Sequence, residues 1–178
     1  MTGRGPPSHP QVPRKWYGEP GGLFGMFVLA DVPTNILDEI LDEIYEEFDC
    51  PRIWLATDTV EVPITSDHPN MTITPLDPSW RSPYLGKTIP NIVNFLKSLP
   101  QSEDFDRRHF LTIDEECIQG ERRWIKGYRI EGGLDDKENE WTEVAGEPVS
   151  IATLVFGYEI GDWEELVQAW TWHGRAIK

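Results

Sequence analysis

The chain has 178 residues, with 31 acidic against 16 basic side chains and a formal net charge of −15. That length is usually one domain with room for a substantial core, and a surface this acidic repels phosphate backbones and anionic lipids, which argues against nucleic acid or a membrane as partner. No run reaches the ~18 consecutive apolar residues of a membrane span, and the two cysteines, Cys50 and Cys117, lie too far apart in sequence to suggest a disulfide framework or a zinc site.

Residues 1–22 hold five prolines and five glycines. Such a segment buries too little apolar surface to offset its ordering entropy, so it reads as a flexible tail. Arg4, Arg14 and Lys15 against Glu19 give the tail +2, which leaves −17 on residues 23–178, read as a single domain. The N-terminus has no apolar signal stretch, so a cytoplasmic protein is expected.

Leu23 to Ala30 reads as the first strand. Pro33 or Thr34 then opens a helix in which Ile36, Leu37, Ile40, Leu41, Ile44, Tyr45 and Phe48 recur at helical spacing. Its other face is acidic, with Asp38, Glu39, Asp42, Glu43, Glu46 and Glu47. Four like-charge pairs at i,i+4 cost roughly 0.2–0.5 kcal/mol each. Burying a single Ile or Leu of the stripe contributes roughly 1.5–3 kcal/mol, so packing prevails and the helix forms as part of the fold. The acidic face reads as solvated surface or as a surface for a basic partner.

Arg52 to Thr57 is the second strand. A long proline-rich loop follows over 65–90, in a region with Pro63, Pro69, Pro75, Pro78, Pro83 and Pro90. Val60 to Ile64 and Met71 to Thr74 read as short edge strands, because proline excludes them from a sheet interior. Pro90 suits the first turn of a helix with Ile92, Val93, Leu96 and Leu99 on one face. His109 to Ile113 is the third strand and Trp124 to Ile130 the fourth, followed by a charged loop over 131–140. Pro148 to Phe156 fits either a strand, by its β-branched content, or a short helix, by its apolar spacing. Asp162 with Glu165 resembles a capping box for a last helix through Trp170. This order predicts an α/β fold: a mixed sheet, part parallel, packed by three or four helices.

Three of the apolar runs end in aspartate: Asp31, Asp58 and Asp114. If their strands are parallel neighbours, the three carboxylates follow one edge of the sheet, where open α/β sheets place their sites. Carboxylates there suit a hard cation such as Mg²⁺, which can polarise a phosphoryl group. With 31 acids in the chain, acids also follow apolar runs by chance, and Asp31 is placed to cap the next helix. The pattern therefore specifies no cofactor.

Arg107, Arg108, Arg122, Arg123, Lys126 and Arg129 make residues 107–129 locally basic. Arginine beside aromatic side chains holds carboxylate or phosphate groups; the alternative is pairing with the chain's own acids. Trp54 and Trp163 read as core, while Trp80 and Trp170-Thr171-Trp172-His173 suit a cleft. Asp58, Asp114, Trp80, Arg123 and Arg129 are thus the candidate ligand-binding residues. His109 and Asp114 lie at opposite ends of one strand, roughly 16 Å apart at ~3.3 Å per residue, and cannot form a dyad. Both cysteines follow acidic segments, which disfavour a thiolate.

The segments Phe110-Leu111-Thr112-Ile113-Asp114, Trp124 to Ile130 and Tyr158-Glu159-Ile160-Gly161-Asp162-Trp163-Glu164-Glu165-Leu166 resemble a small uncharacterised α/β domain family found in bacteria and fungi. The resemblance covers residues 109–178. It implies a fold and no activity.

Taken together, the sequence reads first as an acidic intracellular α/β domain that binds a protein, its charge suiting a basic one, without catalysis. The alternative is a small-molecule-binding protein or metal-dependent enzyme with its site at the strand ends carrying Asp31, Asp58 and Asp114. The pattern leaves the oligomeric state open.

Overall fold

In chain order the elements are β1 (Leu23–Val28), α1 (Thr34–Phe48), β2 (Ile53–Leu55), β3 (Ile64–Thr65), β4 (His68–Pro69), α2 (Ile89–Ser98), β5 (Phe105–Ile113), α3 (Glu115–Ile118), β6 (Ile125–Ile130), β7 (Trp141–Gly146) and α4 (Pro148–Phe156). They come from a computed structural model that describes residues 22–48, 52–57, 64–65, 68–69, 71–101, 105–119, 123–131, 134, 140–156, 163–164 and 167–168. Five strands form one sheet in the order β2-β1-β5-β6-β7, and β3 with β4 makes a separate antiparallel pair. β1 runs parallel to both β2 and β5, whereas β6 and β7 are added antiparallel. The result is the expected α/β domain with a mixed, part-parallel sheet and four helices.

Strand alternation sorts the side chains into two cores. Phe24, Met26, Val28, Ile53, Leu55, Leu111, Ile113 and Ile125 pack with α1 and α4 on one side of the sheet. Leu23, Phe27, Trp54, Phe110, Tyr128 and Ile130 pack with α2 on the other. Phe27 lies at the centre of this second core, edge-on to Trp54, Tyr84, Phe95 and Phe110.

The predicted stripe of α1 is buried at Leu37, Ile40, Leu41 and Ile44. In α2, Ile92, Val93 and Leu96 are buried as well, with Leu99 buried at its C-terminal cap. Its start is fixed by Thr88, whose amide donates to Asn91 Oδ1 at 2.9 Å, the return bond of a capping box. The segment from Pro148, ambiguous in the sequence, is helical. Pro148 has no N–H to donate, which suits a first turn, and Gly127 on β6 leaves the space that Ile151 and Val155 fill.

Other details depart from the sequence reading. β5 begins four residues earlier than His109 and contains an irregularity: Phe24 pairs with Asp106, and Gly25 with Phe110. Residues 107–109 are therefore extra, and they let Phe105 and Phe110 both face the α2 core despite their odd spacing. β7 is an additional strand that the pattern does not signal, because Trp-Thr-Glu-Val-Ala-Gly alternates poorly. Met71 to Thr74 is no strand but a strap. Thr72 donates its amide to the Ile53 carbonyl at 2.8 Å and accepts the Leu55 amide on Oγ1 at 2.7 Å, while its carbonyl accepts from Tyr45 Oη at 2.9 Å. The tail over 1–21, Val60 and the end of the chain from 169 lie outside the described residues.

Candidate functional site

The carboxyl ends of β2, β1 and β5 are adjacent and parallel, and Asp31 and Asp114 follow the neighbouring ends of β1 and β5. Asp58 itself lies outside the described residues. Asp31 is exposed, and the first turn of α1 closes on the Pro33 carbonyl, which accepts the amides of Ile36 and Leu37.

Asp114 is engaged on both oxygens. Oδ1 caps α3 by accepting the Cys117 amide at 3.2 Å. Oδ2 accepts from Lys126 Nζ at 2.5 Å, and the same ammonium reaches Glu116 Oε2 at 2.9 Å. Partial burial of Asp114 works against its charged form, but the Lys126 and Cys117 hydrogen bonds and the Lys126 charge outweigh it and lower its pKa. Burial likewise opposes the ammonium of Lys126, yet its bonds to Asp114 and Glu116 hold its pKa up. Cys117, one residue beyond Glu116, is buried, and loss of solvent pushes its thiol up to about 12. An unreactive thiol was expected from the acidic neighbours; burial proves the larger cause.

Arg123, Lys126 and Arg129 of the basic stretch are paired with the chain's own acids. Arg123 forms an ion pair with Glu39 on α1. Arg129 reaches Glu164 at 2.7 Å and Glu131 at 3.8 Å. Arg107 donates to the Leu99 carbonyl at 2.5 Å. Trp80 is half-buried against the α1-side core. Among the described residues no hydrogen bond or ion pair joins Trp80, Arg123, Arg129 and Asp114 to one another. Trp54 and Trp163 are buried, as expected of core residues, whereas Trp124, just before β6, is exposed. Trp170, Trp172 and His173 lie outside the described residues.

Two further polar arrangements depend on the fold rather than on any local pattern. Asp106 gathers the extra residues of β5: its Oδ1 accepts the amides of Arg108 at 2.6 Å and His109 at 2.9 Å, and its Oδ2 meets His109 Nδ1 at 3.0 Å. The buried His109 ring also lies 5.2 Å from that of Trp163. The Asp-x-x-His spacing was visible in the sequence. A regular strand, however, would separate the two side chains, and only the bulge folds them together. The second arrangement is Tyr128, stacked on Phe110 at 4.9 Å, with its hydroxyl donating to Glu143 Oε2 at 2.8 Å. Burial first, and then the Glu143 bond and charge, push this phenol's pKa up. Glu143 belongs to the strand that the pattern does not signal.

The acidic face of α1 is also partly occupied. Asp38 Oδ1 accepts the Leu76 amide at 2.8 Å, Asp42 accepts from the Thr74 hydroxyl, and Glu39 holds Arg123. Glu43, Glu46 and Glu47 are exposed. Among the described residues there is no group of three or more His, Cys, Asp or Glu side chains placed to hold a metal ion. No described helix is long and apolar enough to cross a membrane. The chain matches no protein-family profile, no curated protein and no solved structure.

Proposed function

We propose that this chain is an acidic, cytoplasmic α/β domain that binds a basic protein partner and performs no catalysis, and that it belongs to the small α/β family its last 70 residues resemble. One observation carries the reading. The side chains best suited to chemistry are engaged within the fold, Asp114 by Lys126 and the cap of α3, Arg123 by Glu39, and Arg129 by Glu164 and Glu131. Over the whole chain carboxylates are in excess, 31 acids against 16 bases, and on α1 Glu43, Glu46 and Glu47 are exposed. Such a field speeds the approach of a cationic partner and repels nucleic acid.

The test is calorimetric titration of the full chain with a lysine-rich peptide at rising salt. Binding that weakens steadily as salt screens the charges supports the reading. Absence of binding at low salt, or affinity indifferent to salt, overturns it.

A second reading keeps the strand ends as a cation or small-molecule site, because β2, β1 and β5 do run parallel side by side. It is tested by thermal shift with Mg²⁺, Mn²⁺, Ca²⁺ and Zn²⁺ against chelator, with Asp58→Asn and Asp114→Asn alongside. A ligand that binds only the folded state adds about 2.7 kcal/mol at a hundredfold excess over Kd. A metal-specific rise abolished by both substitutions establishes a strand-end site; no rise removes it.

A further inference from the structure

We infer that the basic partner docks as an extended strand on the outer edge of β7, adding a sixth strand to the sheet. The inference rests on the reading of this domain as a binder of basic proteins, and it names the surface. A sheet has two edges, and this one treats them differently. The β2 edge is covered by the chain itself: the Thr72 amide and hydroxyl take up the Ile53 carbonyl and the Leu55 amide. β7, at the other edge, pairs with β6 alone among the described strands, and the further hydrogen bond from its Thr142 hydroxyl goes to Glu131, just past the end of β6.

Natural proteins blunt an open edge with lysine, proline, a bulge or a covering segment, because unpaired N–H and C=O groups template another strand. β7 contains neither lysine nor proline, and its six residues pair with Ile125–Ile130 in unbroken register. It is long enough for the main-chain bonds of strand addition.

Charge selects the occupant. Glu140 and Glu147 flank β7 and are exposed, Glu143 lies within it, and no basic residue lies between 140 and 147. A second copy of the chain would bring another −15 to this edge. An extended segment with lysine or arginine among apolar residues brings the opposite charge. Its apolar side chains would continue the two faces of the sheet beside Val144 on the α4 side and Trp141 on the α2 side.

The experiment uses the full chain and a short peptide of alternating valine and lysine, with an N-methylated version that keeps the charge and removes alternate amide donors. Three results are expected. The outward amides within Thr142–Ala145 exchange rapidly in the free protein and become protected when the peptide is added. N-methylation weakens binding about threefold to tenfold for each strand bond lost. Glu140→Lys with Glu147→Lys weakens the unmethylated peptide, while exchange in β5 and β6 shows the fold intact.

Equal affinity for both peptides overturns strand addition but leaves the basic-partner reading standing. No binding of either overturns both. Protection of every β7 amide before peptide is added means the edge is already covered by the chain's own residues and overturns the inference. A concentration-dependent dimer in sedimentation that protects β7 assigns the edge to a second copy and overturns the basic occupant.

Discussion

At Gly127 the side chain that is missing matters more than any that is present. A Cβ built there meets Ile151 Cγ2 at 2.9 Å, Val155 Cγ2 at 3.0 Å and Val144 Cγ2 at 3.3 Å. Two of these atoms are β-branched methyls on one helix, with little rotamer freedom to retreat. α4 must therefore lift from the sheet if anything larger than hydrogen occupies residue 127. Gly127→Ala is expected to cost about 1–3 kcal/mol, the usual range for overpacking a dense core, read as a lower urea midpoint. Adding Val155→Ala should recover part of the loss, because it removes one of the colliding methyls. A midpoint unmoved by Gly127→Ala would mean that the α4–β6 packing is looser than described.

At the scale of elements, the long amphipathic pieces were legible and the short-range polar bonds were not. The stripes of α1 and α2 each place four or more apolar side chains on one face, a signal that only burial satisfies, and the structure buries them. β7 carries no such signal because its two faces differ little in polarity, and the segment from Pro148 is ambiguous in sequence because the space that seats it as a helix is supplied by Gly127 of another element. The candidate site was less legible still. The strand-end carboxylates could be counted from the sequence, but that Lys126 would meet Asp114, or Arg123 meet Glu39, depends on pairings across the fold that no local pattern encodes. The strap over 71–76 is the clearest case. Threonine and aspartate at 72, 38 and 42 read as surface residues, yet they anchor an irregular segment to β2 and α1. Thr72→Val keeps the shape of the side chain and removes the acceptor for the buried Leu55 amide. The expected cost is about 1–3 kcal/mol for a donor left unsatisfied, accompanied by faster hydrogen exchange at Leu55. Unchanged exchange there would mean that the strap contributes nothing to the β2 edge.

Over the whole molecule the charge acts in two opposite directions. A net −15 destabilises the compact state through self-repulsion while it attracts a cationic partner. Salt shortens the reach of both effects, to a Debye length of about 8 Å at physiological strength. Raising salt from a few millimolar is therefore expected to increase the melting temperature while it lowers affinity for a basic peptide. Melting temperature and affinity falling together would show that local ion pairs, rather than the global field, dominate. The Asp114–Lys126 pair is the local term to separate out, and pH separates it. Asp114 has a lowered pKa in the fold, so its stabilisation is fully present above the unfolded value of 3.8 and is lost as pH falls through the lower folded value. Lys126 has a raised pKa, so its share is fully present below the unfolded value of 10.5 and is lost as pH rises through the higher folded one. The pair thus supports the fold across the whole neutral range. Asp114→Asn should open a stability gap to the native chain that is constant near neutrality and closes in acid, where the native carboxyl is itself protonated. Denaturant midpoints measured from acid to neutral pH test this directly; a gap that persists in strong acid would assign the loss to the α3 cap rather than to the charge of the pair.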